Sequence, residues 1–256
     1  MFVRYDAAIN GVPLSGVSDK IYISNISESA PKIGITTIDN AKYGGKRMTE
    51  RTRDSLTVTV TLSVRERNSA ERAAIIDAIM AWIADGELTV NYRPDQMLAV
   101  EWTDLPAVGS ALEWAGNMTI DFTAYTCPYW QSVHYTIASG DCVAATPKTL
   151  TLTPVGTYLH PLLEFEMTAN ASIATLTIVA NGYAWAFASL GIVSGDVLRG
   201  YYDAKGYLHF EKNGTSVYAN RSGDDDIILG AMAANTVTVT ASGAANFRAK
   251  VRGRFL

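Results

Sequence analysis

Leu56-Thr57-Val58-Thr59-Val60-Thr61-Leu62-Ser63-Val64 decides how this chain is read. Leu56, Val58, Val60, Leu62 and Val64 alternate with three threonines and a serine. A period of two predicts a strand with one face buried and one polar. The polar face is a row of hydroxyls that a neighbouring subunit could cover. Directly afterwards the period changes. Asn68 is a good N-cap and Glu71 stands three residues on, a capping-box spacing. Ile75, Ile76, Ile79, Met80, Trp82 and Ile83 then recur at helical spacing up to Asp85-Gly86. One amphipathic helix over about 69–84 is predicted, its isoleucine face docked on a sheet. That stripe is core packing, not a cofactor box.

Three further strands are expected over 87–92, 98–103 and 117–125, with Arg93-Pro94-Asp95 as the turn between the first two. Cys127-Pro128-Tyr129-Trp130 stops the unit, because proline cannot continue a central strand. Ahead of the long strand, turn signals dominate: Asn10-Gly11, Pro13, Gly16, Pro31, Gly34 and Gly44-Gly45. Short strands are expected over 20–24 and 32–38. Residues 42–54 carry Lys42, Lys46, Arg47, Glu50, Arg51, Arg53 and Asp54. The interleaved carboxylates and the lack of an aromatic repeat favour a solvated loop over a phosphate-binding run.

Beyond about residue 131 the composition shifts. Ser139-Gly140-Asp141 and Ala144-Ala145-Thr146-Pro147 read as a linker. From Lys148 on, short strands alternate with turns at Asn181-Gly182, Gly195-Asp196, Lys205-Gly206, Asn213-Gly214 and Ser222-Gly223. Strands are expected over 149–152, 162–167, 174–180, 183–187, 196–202, 208–212, 217–219, 236–241 and 247–255, forming an antiparallel β-sandwich. The fold class is therefore mainly β. It comprises an N-terminal β-sandwich or barrel-like domain with one helix over 1–132, a linker over 133–147, and a C-terminal sandwich over 148–256.

The chain has 256 residues, 48% of them hydrophobic and 18% charged, enough for a sizeable core. A net charge of -4 gives no bulk electrostatic case for nucleic acid or an anionic membrane. No apolar run approaches the roughly 20 residues that span a bilayer. The start Met-Phe-Val-Arg-Tyr-Asp has no secretory pattern, so a soluble protein is expected. Cys127 and Cys142 allow a disulfide, but two reduced thiols in a chain made in a cytosol fit better.

Catalytic constellations are missing from the sequence. His134, His160 and His209 form neither HxxxH nor HExxH. No serine sits in GxSxG and no phosphate loop is present. Asp224-Asp225-Asp226 lacks the alternating spacing of a calcium loop and reads as a solvated turn before a strand over 227–229. No catalytic, cofactor-binding or metal residue is assigned. Among the aromatics Tyr158, Tyr183, Trp185, Tyr201, Tyr202, Tyr207, Phe210 and Tyr218, most belong to the core. Tyr201 and Tyr202 are adjacent on a strand, so one should face in and one out. The outward one is the first candidate contact for a ligand.

The order of these features resembles a family, the distal tail proteins or siphovirus tail components of long-tailed phages. The residues that carry it are the strand ending Val64-Arg65-Glu66, the helix with Trp82, Gly86, Pro94-Asp95 and Cys127-Pro128-Tyr129. In the second half they are Gly195-Asp196, Gly206, Asn213-Gly214, Leu229-Gly230 and Val251-Arg252-Gly253-Arg254-Phe255. The family's usual proline- and glycine-rich loop is here Asp39 to Arg53, rich in charge. The resemblance implies a non-enzymatic virion protein of the tail tip, made in a bacterial host cytoplasm. It implies a hexameric hub ring built by the N-terminal domain, with a galectin-like C-terminal domain projecting outward. Its partners would be its own copies, the tail tube protein and the tail-tip or baseplate proteins, with DNA passing the channel without specific binding. The alternative is a lectin-like module that recognises a bacterial cell-surface glycan.

Overall fold

The computed structural model describes the chain apart from residues 1–4, 30–32, 40–45, 54, 105, 107, 113–114, 126, 158–159, 204–205 and 256. It divides into two compact units, 1–129 and 130–256.

Unit 1 contains β1 (Ala7–Ile9), β2 (Val12–Pro13), β3 (Ile21–Glu28), β4 (Ile33–Asp39), β5 (Lys46–Arg53), β6 (Leu56–Arg65), α1 (Ser69–Trp82), β7 (Gly86–Val90), β8 (Arg93–Trp102), β9 (Val108–Leu112) and β10 (Ala115–Ala124). Its antiparallel pairings run β2-β1-β7-β8-β10-β6-β3, with β9 also on β10. β6 is the strand expected from its alternation: every second residue from Leu56 to Val64 is buried. Against β10 it keeps one unbroken register, from Leu56 opposite Ala124 to Arg65 opposite Ala115. Met118, Ile120 and Phe122 of β10 complete the buried face.

α1 lies on this core through Ile79, Trp82 and the following Ile83, all buried. The Trp82 ring meets Phe122 edge-on with centroids 5.9 Å apart. Its indole N–H donates to the Val12 carbonyl at 2.8 Å. Asn68 caps the helix, its Oδ1 accepting from the Ala70 N–H at 3.0 Å. The reciprocal half of the capping box is shared out. Glu66 takes the Asn68 backbone N–H at 3.0 Å, and Glu71 takes the Asn68 side-chain amide at 3.1 Å. Asp85-Gly86 does not cap the helix, which ends in an extended Ile83. Gly86 instead opens β7 at φ +147, where an added Cβ would stand 2.0 Å from Asn10 Oδ1. That approach lets Asn10 Oδ1 accept from the Glu87 N–H at 3.0 Å, tying β1 to β7.

Several sequence-based boundaries move. The expected loop over 42–54 contains strand β5, which pairs with β4 from Ile33 opposite Arg53 to Asp39 opposite Lys46. Residues 42–45 and 54 lie outside those described. The turn expected at Arg93-Pro94-Asp95 falls at Asn91-Tyr92, and β8 begins at Arg93. Pro94 is tolerated at the strand's start, where a missing N–H costs least. β9 has no counterpart in the sequence reading.

The linker expected over 133–147 is largely a strand. β11 (Trp130–Cys142) opens unit 2 and pairs with the last strand of the chain. Then follow β12 (Lys148–Leu152), β13 (Leu163–Ala169), β14 (Leu176–Ala180), β15 (Tyr183–Phe187), β16 (Val197–Tyr202), β17 (Leu208–Lys212), β18 (Thr215–Ser216), β19 (Arg221–Gly223), β20 (Asn235–Ala241) and β21 (Ala245–Phe255). Strands expected over 217–219 and 227–229 are a single 3-10 turn at Tyr218–Asn220 and an isolated bridge at Ile228. Two antiparallel sheets form the predicted sandwich, β18-β17-β16-β13-β21-β11 and β12-β20-β14-β15-β19. Asn181-Gly182 joins β14 to β15 with both residues at positive φ, +51 and +86, the geometry of a two-residue hairpin turn. Between the sheets Phe165 stacks on Phe247 at 5.4 Å, with Trp185, Phe187 and Phe210 around it at 6.1 to 6.2 Å. Cys127 and Cys142 are buried reduced thiols.

Candidate functional site

The second face of β6 is the candidate assembly surface. Thr57, Thr59, Thr61 and Ser63 lie half-buried on it. The β6–β10 register sets Thr57 beside Thr123, Thr59 beside Asp121 and Thr61 beside Thr119. Thr57 and Thr123 hydroxyls meet at 3.3 Å, and the Thr59 hydroxyl donates to Asp121 Oδ1 at 2.6 Å. On the other side, β3 bulges at Ser24, whose hydroxyl donates to the Thr61 carbonyl at 3.1 Å. Asn25, Ser27, Asn117 and Thr119 extend this exposed surface of short polar side chains. Such side chains lose little rotamer entropy when covered, and their hydroxyls can donate or accept. At the rim, Arg65 lies over the Tyr22 ring at 4.1 Å.

The near end of β3 is anchored differently. Glu28 receives a two-pronged contact from Arg93 at 3.0 and 3.1 Å, and the Tyr92 hydroxyl donates to it at 2.7 Å. Burial and the Glu28 carboxylate push the Tyr92 phenol well above its ordinary range, so it stays a donor.

In unit 2, the outer face of the six-stranded sheet gathers charge. Glu166 of β13 stands opposite Arg199 of β16 and Arg248 of β21. Its carboxylate meets Arg199 Nε at 3.1 Å, Lys250 Nζ at 3.3 Å and Arg248 at 3.9 Å. Burial alone would lift the Glu166 pKa. Hydrogen bonds and charge from Lys250 and Arg199 outweigh it and hold the carboxyl below its ordinary value. Two residues away, Glu164 is buried and accepts from the Tyr135 hydroxyl at 3.0 Å. There burial wins, and the Glu164 pKa lies above its ordinary 4.5 despite Tyr135 and Arg252.

The sign of that shift gives a test. A carboxyl whose folded pKa is raised binds its proton more tightly in the native state. Its contribution to stability is present below about the unfolded value and is lost as pH rises through the folded one. Glu164→Gln removes this dependence. The variant's stability relative to the parent should therefore increase between about pH 4 and pH 7. Urea unfolding at the two pH values measures it; a constant difference would mean the carboxyl titrates normally.

Tyr201 shares the outer face with Arg199 and Tyr202 the face of Leu198 and Gly200, and both are half-buried. Tyr201 stacks on His209 with centroids 5.4 Å apart, and its hydroxyl donates to Glu211 at 2.9 Å. The Tyr202 hydroxyl donates to Asp226 at 2.7 Å. His209 Nε2 lies 3.0 Å from Asp203 Oδ2, His134 is exposed, and His160 sits at φ +80. Asp224 and Asp225 organise the turn around Arg221, and Asp224 Oδ2 accepts from the Ala184 N–H at 2.7 Å. Tyr158 lies outside the described residues. Among the described residues no group of three or more His, Cys, Asp or Glu side chains is placed to hold a metal, and no helix is long and apolar enough to cross a membrane.

No family model and no curated protein matches this sequence. Solved structures do. The chain superposes on the SPP1 Dit protein with a TM-score of 0.68 at 13% identity, covering 97% of this chain and 98% of that one. That protein is described as a paradigm of the hub of the adsorption apparatus in phages infecting Gram-positive hosts. It also matches a chain of the phage P2 baseplate in its activated conformation with calcium, at TM-score 0.54 and 10% identity, over 99% of this chain and 98% of that one. A strontium form of the same baseplate gives TM-score 0.54 at 10% identity, over 97% of each chain. The chain therefore shares its fold with these phage hub and baseplate structures.

Proposed function

We propose that this protein is a non-enzymatic structural component of a phage or prophage tail. Its copies close into a ring, six by resemblance, that joins the tail tube to the tail-tip or baseplate proteins and leaves a channel for DNA. The likeness to a phage hub protein over nearly the full length of both chains carries this reading.

Two features of unit 1 support self-association. The hydroxyl face of β3, β6 and β10 can be covered at little entropic cost. The ribbon β4–β5 pairs with no other strand among those described. A lone two-stranded ribbon is marginal in water, and a neighbouring copy would supply its missing cover. Closure of a ring also removes strand edges that would otherwise recruit further chains.

Light scattering across a concentration series tests the reading. A discrete mass at about six times the 27.6 kDa monomer supports it, as a closed cyclic assembly requires. A concentration-independent monomer refutes self-association. Thr61→Lys places a charge on the hydroxyl face opposite Thr119. It should change folding stability by only about 0.5 kcal/mol, as surface substitutions do, yet lower the assembled fraction sharply. Unchanged assembly would remove that face from the seam.

A carbohydrate contact through unit 2 is the second reading. The stacked Tyr201–His209 pair beside Arg199, on an open sheet face, favours it.

A further inference from the structure

We infer that the outer face of the six-stranded sheet in unit 2 binds a phosphodiester-linked glycan, its phosphates held by Arg199, Arg248 and Lys250 and its sugars set against Tyr201 and His209. The inference rests on the carbohydrate reading above and adds the chemical class.

The charges argue first. Three cations share the one Glu166 carboxylate, at 3.1, 3.3 and 3.9 Å. Glu166 is recessed, with 20% of its side chain exposed, whereas Arg199 and Arg248 expose 59% and 55%. What solvent meets is therefore guanidinium. Arg199 meets Glu166 through Nε, and its two terminal nitrogens make no hydrogen bond to that carboxylate. Arg248, at 3.9 Å, is too far from Glu166 for a hydrogen bond. Glu164 and Glu211, the flanking carboxylates, are hydrogen-bonded by Tyr135 and Tyr201. Guanidinium forks match phosphate oxygens two at a time.

Shape and neighbours narrow the ligand. Arg199 and Arg248 sit on the two strands flanking Glu166, so roughly 10 Å of sheet separates their backbones. A sheet face of that width suits an extended polymer more than a small molecule, which prefers a concave pocket. Tyr201 and His209 lie directly across from each other on the next pair of strands. Glu211 and Asp203 accept hydrogen bonds beside them, from Tyr201 and His209. Carboxylates accept readily from sugar hydroxyls, of which a glycosylated polymer offers many and a nucleic acid few. That contrast favours a phosphorylated glycan over nucleic acid, in a chain whose net charge is -4.

Calorimetric titration of the full-length protein with purified poly(glycerol phosphate), glycosylated and bare, tests this at two salt concentrations. Arg199→Gln/Arg248→Gln should weaken binding about tenfold or more and lower the salt slope by roughly 2, one for each phosphate contact removed. Both side chains are more than half exposed, so the lost ion pairs should lower the melting temperature by only about a few degrees. Tyr201→Ala/His209→Ala should weaken the glycosylated polymer and spare the bare one. No binding to either polymer overturns the inference, and no binding to a neutral polysaccharide as well overturns the carbohydrate reading with it. Binding to dextran or another neutral polysaccharide, unaffected by the arginine changes, overturns the anionic class and keeps the carbohydrate reading. Equal affinity for oligothymidylate, lost in the same arginine variant, overturns the glycan in favour of any polyanion.

Discussion

Replacing Ile79 by Asp is expected to unfold unit 1. Ile79 is fully buried on the face of α1 that meets β6. Loss of the side chain alone costs about 2–5 kcal/mol. The new carboxylate must in addition give up its hydration or take a proton. Losses of that size exceed about half the stability of an ordinary domain. Unit 2 carries its own separate core, with Phe165, Trp185 and Phe247 at its centre, so its transition should survive. Limited proteolysis should then leave a fragment that begins near Trp130. A variant that melts like the parent would show that α1 does not dock through this face.

The second large effect lies in unit 2. Phe165→Ala removes a ring that touches Trp185, Phe187, Phe210 and Phe247 at once. The expected loss is about 3–5 kcal/mol, or roughly 10–20 °C in the melting of this unit. Gly200 makes the packing possible: a Cβ there would stand 2.4 Å from Phe165 and 2.9 Å from Phe210. Gly200→Ala should therefore be costly in the parent and much cheaper in the Phe165→Ala background. A double-mutant cycle reads this coupling directly. Additive losses would mean that the two residues do not share the space.

What could be read from the sequence depended on how far apart the cause and the residue lie. The alternation of β6 and the cap at Asn68 are local, so strand and helix were legible at once. Asn181-Gly182 was legible because positive φ at both positions selects those residues. β5 was not: Lys46, Arg47, Arg51 and Arg53 look like a solvated loop, and only pairing with β4 makes them a strand. The linker expected after residue 132 failed for the same reason. Ser139-Gly140-Asp141 has turn composition, but its partners are Arg248, Phe247 and Asn246, more than a hundred positions away. The charge cluster around Glu166 is wholly non-local. Arg199 and Lys250 lie 33 and 84 positions from it, and no spacing rule joins three separate strands. Strand parity separates Tyr201 from Tyr202, but the carboxylates that hold their hydroxyls, Glu211 and Asp226, lie on other segments and were not legible.

β21 has a consequence for how the protein is made. The last strand of the chain lies between β11, the first of unit 2, and β13. The ribosome must therefore reach residue 255 before this sheet can close, while unit 1 has all its strands once residue 124 has emerged. At about 5–20 residues per second, β11 waits on the order of ten seconds for its partner. Its exposed backbone is shielded in that interval only by whatever binds nascent chains. A stop placed before residue 245 would remove the partner of two strands together, so that product should aggregate rather than be slightly weakened.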